Sequence, residues 1–291
     1  MRRALWLLAV IVVVLLGVGI YVTVGRGGHR LPLQLPVGKG CQVTTDAGTV
    51  SLYPEQMANA ATIAAVGLTK GIPDQGIVIA LATAMQESEL VNLSGGDRDS
   101  VGLFQQRPSM GWGTVDQLLD PRYSATAFYN KLVTIPGWEQ MRITDAAQAV
   151  QRSAFPEAYD KWSFDAQVIG SALTGTQPTA VTCVKIGEPS MRGDAAAQAL
   201  SDGLRADWGE QVGTTVAGTD VTAGLGDLTL VSAQDRNGWQ LAHWLVAHSV
   251  DHNVARVQFK DQEWTSDSGA WSRLSGDLTD SEHVVAVVYA G

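Results

Sequence analysis

The sequence predicts a mainly α domain that follows one N-terminal transmembrane helix and precedes a small α+β domain. Three observations carry this. Ala4 to Val24 is a run of 21 residues without a charge. Between Cys41 and Cys183 most segments repeat apolar residues at helical spacing. After residue 225 the pattern turns to short strand-like runs around one helix.

The chain has 291 residues and a formal net charge of −9. That charge argues against a general nucleic-acid binder, because phosphate binding needs clustered Lys and Arg. The charge is also unevenly spread. Residues 1–40 hold five basic side chains and no acid, whereas the remaining 251 hold 15 basic and 29 acidic groups. The run from 4 to 24 has the length of a bilayer span and exceeds the apolar core of a cleaved signal peptide. It predicts a single-pass cell-membrane protein with residues 25–291 on the extracytoplasmic side. Arg2 and Arg3 face Arg26 and Arg30 across the span, so the positive-inside rule alone leaves the orientation open. Residues 25–40, rich in Gly and Pro, read as a linker.

Residues 41–183 form the predicted α domain. Pro54 opens one helix and Gly71 closes it. The next, PDQGIVIALATAMQES, is apolar almost all round from Ile77 to Met85 and so predicts a buried central helix. Residues 92–113 are turn-like. Helical patterns return at DPRYSATAFYNKLVT, TDAAQAVQRS and PEAYDKWSFDAQVIGSALTG. The two cysteines bound this domain. In an exported chain they predict a Cys41–Cys183 disulfide.

Residues 184–291 form the predicted α+β domain. DAAAQALSDGLRADWG reads as a helix and GTTVAGTDVTAGLGD as loose chain. LTLVSA, VARVQFK and HVVAVVYA read as strands, and GWQLAHWLVAHSV as a helix. Trp239, Trp244, Trp264 and Trp271 fit a small core better than an exposed binding face. His248 and His252 have a metal-compatible spacing, but no third ligand is evident, so they read as structural. No phosphate-binding glycine loop is present, and Thr222 to Asp227 reads as a plain loop. No metal or other cofactor is expected.

The chemistry points to Glu87. It sits at the end of an apolar helix, where desolvation and the helix dipole both favour the protonated acid. A carboxylic acid kept neutral is the general acid that glycosidic cleavage needs. Glu89 should face solvent. Glu87-Ser88, followed after a polar turn by Gly102-Leu103-Phe104-Gln105, resembles the lysozyme-like domains of soluble lytic transglycosylases and goose-type lysozymes. The longer run from Ala82 through Gln106-Arg107-Pro108-Ser109 and Gly111-Trp112-Gly113 to Ala147–Ser153 is similar to membrane-anchored actinobacterial proteins that carry such a domain.

The resemblance implies a lysozyme-like fold over roughly 60–180. It implies cleavage of the β-1,4 bond between N-acetylmuramic acid and N-acetylglucosamine, with peptidoglycan glycan strands as partner. Glu87 would be the general acid and base. Ser88, Gly102, Phe104, Gln105, Gln106 and Tyr159 would bind substrate, with core packing an equal reading for Phe104. Trp112 and Trp138 could stack on sugars or pack in the core. One carboxylate suffices for a lytic transglycosylase. Hydrolysis usually uses two, and Asp97 or Asp99 would supply the second. The late-helix Asn-Ala-Tyr-Asn-like segment of the family is replaced here by Ala-Gln-Ala-Val-Gln-Arg-Ser and then Tyr159. That departure keeps a second reading open, a non-catalytic peptidoglycan-binding or assembly module with a protein partner at its C-terminal domain.

Overall fold

The computed structural model describes residues 40–153, 156–224, 234–274 and 282–291. It contains eight helices and nine strands among those residues. The first strands, β1 (Cys41–Thr45) and β2 (Gly48–Leu52), form a hairpin. α1 (Pro54–Thr69) and α2 (Asp74–Ser88) follow. Then come α3 (Val115–Leu118), α4 (Pro121–Leu132), α5 (Ile143–Gln151) and α6 (Ser163–Leu173). β3 (Val181–Cys183) returns to pair with β1.

The remainder runs α7 (Gly193–Trp208), β4 (Gly213–Ala217), β5 (Asp220–Gly224), α8 (Gln234–Ala247), β6 (Val254–Phe259), β7 (Gln262–Thr265), β8 (Ala270–Arg273) and β9 (His283–Val288).

Two antiparallel sheets result. One has strand order β2-β1-β3, the other β4-β5-β9-β6-β7-β8. Helices α7 and α8 pack on the larger sheet, and α1 packs against both of them. α2 lies at the centre of the helical part, against α1, α4, α5 and α6. Its residues from Gly76 to Met85 are all buried, as its apolar run requires.

These observations correct the predicted fold class. Strands are not confined to the tail. β1, β2 and β3 frame the helical part, and β4, β5, β7 and β8 add to the tail where none was expected. Buried side chains of both parts belong to one continuous core, within a compact unit from Val37 to Gly291. The reason is visible at the contact. The buried His243 of α8 donates from Nδ1 to the Ala172 carbonyl (2.8 Å) and accepts the Ala180 N–H at Nε2 (3.1 Å). Arg236 of α8 bonds the Thr174 carbonyl and pairs with Asp74. Trp271 donates to the Val181 carbonyl (2.8 Å).

The predicted membrane localisation is also corrected. No helix among the described residues is long and apolar enough to cross a membrane. The longest, α1 and α7, have 16 residues. At about 1.5 Å per residue they fall short of a hydrocarbon core of roughly 30 Å. The run 4–24 on which that expectation rests lies outside the described residues, as do the linker and most of LTLVSA.

The Cys41–Cys183 disulfide is present. It joins directly opposed residues of β1 and β3, which brings the ends of a 142-residue separation together. In the chain-entropy picture, closing so long a loop contributes about 5 kcal/mol. The four C-terminal tryptophans do build core. Trp239, Trp244 and Trp264 are buried, and Trp271 is half-buried against Trp239.

Candidate active site

The end of α2 is fixed before it can present Glu87. Glu89 and Leu90 both take left-handed backbone conformations, which non-glycine residues seldom adopt. α1 holds them there. Gln56 donates to the Glu89 carbonyl (2.7 Å) and Asn59 to the Leu90 carbonyl (2.8 Å). Glu89 itself is exposed. Ser88 is buried, and its hydroxyl donates to the Leu103 carbonyl (2.7 Å), tying the helix end to the facing loop. Gly102 must be glycine. Its φ is +78°, and a Cβ there would lie 2.3 Å from the Leu118 carbonyl oxygen.

That loop is not a strand. Val101 and Gln106 exchange two backbone hydrogen bonds around a tight turn. Phe104 is fully buried and stacks on Phe128 with ring centroids 4.7 Å apart. It is a core residue, not a platform open to a sugar.

Glu87 is half-buried and lines a cleft of about 750 Å³. Gln105, Gln106, Trp112, Lys131, Gln151 and Arg152 also line it. Tyr159 donates its hydroxyl hydrogen to Glu87 Oε1 at 2.7 Å. The Gln151 side chain is a second hydrogen-bond partner of Glu87 and also donates to the Phe104 carbonyl (2.7 Å). Desolvation is the largest influence on Glu87 and raises its pKa, and the two hydrogen bonds only partly oppose it. The Tyr159 phenol is raised as well, by burial and then by the neighbouring carboxylate.

The two candidate second acids part company. Asp97 lines the cleft but is highly exposed. Asp99 is not among the lining residues. It accepts from Arg107 Nε (2.9 Å), the Ser109 N–H (2.8 Å) and the Ser109 hydroxyl (3.0 Å). Those bonds, Arg107 foremost, hold its pKa well below the usual carboxylate range.

Of the residues expected to bind substrate, Gln105 and Gln106 line the cleft and Tyr159 reaches it through Glu87. Ser88, Gly102 and Phe104 build its wall from behind. Trp112 lines the cleft, whereas Trp138 is buried against Gly76. Sequence reasoning placed Arg107, Gln151 and Arg152 only within the runs that carry the resemblance, with no role for each, and passed over Lys131. Gln151 belongs to the segment that departs from the family pattern, and that departure was the available signal. No protein-family model matches the chain, and no curated protein matches it.

Proposed function

We propose that the chain cleaves the β-1,4 bond between N-acetylmuramic acid and N-acetylglucosamine in peptidoglycan, as a lytic transglycosylase with Glu87 as general acid and base. The observation that carries this reading is a half-buried carboxyl group at the wall of a cleft, held by Tyr159 and Gln151 and raised in pKa by desolvation.

Glu87 donates its proton to the glycosidic oxygen as the bond to C1 breaks. The carboxylate so formed is stabilised by the Tyr159 hydroxyl and the Gln151 amide. It then takes the proton of the muramyl 6-hydroxyl as that oxygen bonds to C1, closing an anhydro ring without water. Asp99 is locked to Arg107 and Ser109, which leaves Asp97 as the second acid that hydrolysis would need. Lys131 and Arg152 at the cleft suit the carboxylates of a peptidoglycan strand.

The test is digestion of purified peptidoglycan by the full chain, with products read by mass spectrometry. Anhydromuropeptides are the expected products. Reducing ends would indicate a hydrolase. Release by Glu87→Gln equal to that by wild type would defeat the catalytic role. Glycan binding by both proteins without release by either would favour the non-catalytic module.

A further inference from the structure

The turn after α8 gathers metal-binding side chains that the cleft does not use. His248 and His252 are four residues apart, and the fold brings the third ligand that their spacing lacks. One ligand atom from each of His248, Asp251 and His252 lies within 4.8 Å of the others. The closest two, His248 Nδ1 and Asp251 Oδ2, are 2.8 Å apart. Donors at about 2.0–2.1 Å from a tetrahedral zinc ion lie about 3.3 Å from one another. That pair is now joined by a hydrogen bond and would open by about 0.5 Å to ligate one ion, while the widest separation in the cluster would close by about 1.5 Å.

The surroundings match a metal site as well. The other nitrogen of His248, Nε2, faces the Thr62 hydroxyl at 3.4 Å and the Asp207 carboxylate at 3.7 Å. Asp207 is buried and fixed by Thr62 (2.7 Å), Trp244 Nε1 (2.8 Å) and Arg122 (2.6 Å). A carboxylate behind a ligating histidine orients the ring and raises its basicity. The Trp244 ring walls the site, with its centroid 4.1 Å from that of His248 and 5.8 Å from that of His252. His252 rests against Gly203 of α7, where a Cβ would lie 2.4 Å from Nε2. A purely structural role accounts for His248, which Asp251 already holds. Asp251 is half exposed, which leaves one side of the cluster open to solvent.

We infer that His248, Asp251 and His252 form a site for one divalent transition-metal ion, Zn2+ foremost, with Asp207 as the outer carboxylate. An imidazole and carboxylate donor set suits zinc and its first-row neighbours. Water would complete the shell on the exposed side. Because Thr62 and Arg122 contact Asp207, the ion would also tie α1 and α4 to the segment after α8.

Equilibrium dialysis of the metal-free full chain against Zn2+ tests this, with Co2+ as a spectroscopic probe. The expected result is one Zn2+ per chain and a visible Co2+ band of tetrahedral type. His252→Ala or Asp251→Asn should weaken Zn2+ binding at least about 10-fold and remove the band. Both side chains are partly exposed, and melting curves without metal should show each variant folded. Zn2+ should raise the Tm of wild type and not of the variants. No stoichiometric binding by wild type, or unchanged binding in both variants, would overturn the inference.

Discussion

Glu87, at the last turn of α2, and Asp99, in the loop after it, are carboxylates twelve residues apart with opposite electrostatics. Asp99 meets a guanidinium and two Ser109 donors, and its pKa is lowered. Glu87 meets a phenol and an amide but no cation, and desolvation raises it. The difference lies in the partners more than in the sequence context. Hydrogen bonds lower the pKa of both carboxyl groups, but at Glu87 desolvation outweighs them, whereas at Asp99 the Arg107 guanidinium and the Ser109 donors prevail. A raised pKa favours the protonated form that can give a proton to a leaving group.

The largest effect expected from breaking this contrast is on turnover. Glu87→Gln should lower the release of muropeptides by about 1,000-fold, within the usual range for a lost general acid. Asp99→Asn should leave measurable cleavage in the same assay.

The fully buried His243 is a second test of neutrality by burial. Its pKa is pushed down to about 4 by desolvation. The folded chain therefore binds fewer protons there than the unfolded chain between pH 6.5 and about 4. The associated stability is complete above pH 6.5 and is lost as pH falls through 4. It amounts to on the order of 3 kcal/mol, and urea unfolding of wild type at a series of pH values should show that decline.

A smaller effect is expected at Asp99 itself. Asp99→Asn should lower stability slightly in denaturant unfolding, because Arg107 loses its charged partner. Smaller again is Tyr159→Phe. It removes a hydrogen bond that favours ionised Glu87, so the basic limb of the pH–rate profile should move to higher pH. The rate should fall by roughly 10-fold, the worth of a hydrogen bond to a charged group.

The helices were legible because long apolar runs with Pro and Gly at their ends leave little choice. α1 and α2 begin and end close to those signals. The missed strands are three to five residues long, and all but β8 contain Thr. In the exposed edge strand β4 no residue is buried, so its alternation carried no apolar contrast. Glu87 was legible because a carboxylate ending an apolar helix conflicts with its surroundings. Phe104 was assigned to the cleft by resemblance, yet its ring packs on Phe128, a partner 24 residues away that no local pattern reveals. Gln151 reaches Glu87 from a separate helix, and only the tertiary packing of α5 against α2 brings it there. Asp251 stands between His248 and His252 in the sequence, but only the turn that follows α8 brings its carboxylate to the imidazoles.

The most direct test of the central claim is the titration of Glu87 by carbon NMR of the carboxyl groups in glutamate-labelled protein, with Glu87→Gln used to assign its signal. A midpoint above the ordinary glutamate range is predicted. A midpoint at or below that range would show that Glu87 is ionised like Asp99 and would contradict its role as the proton donor.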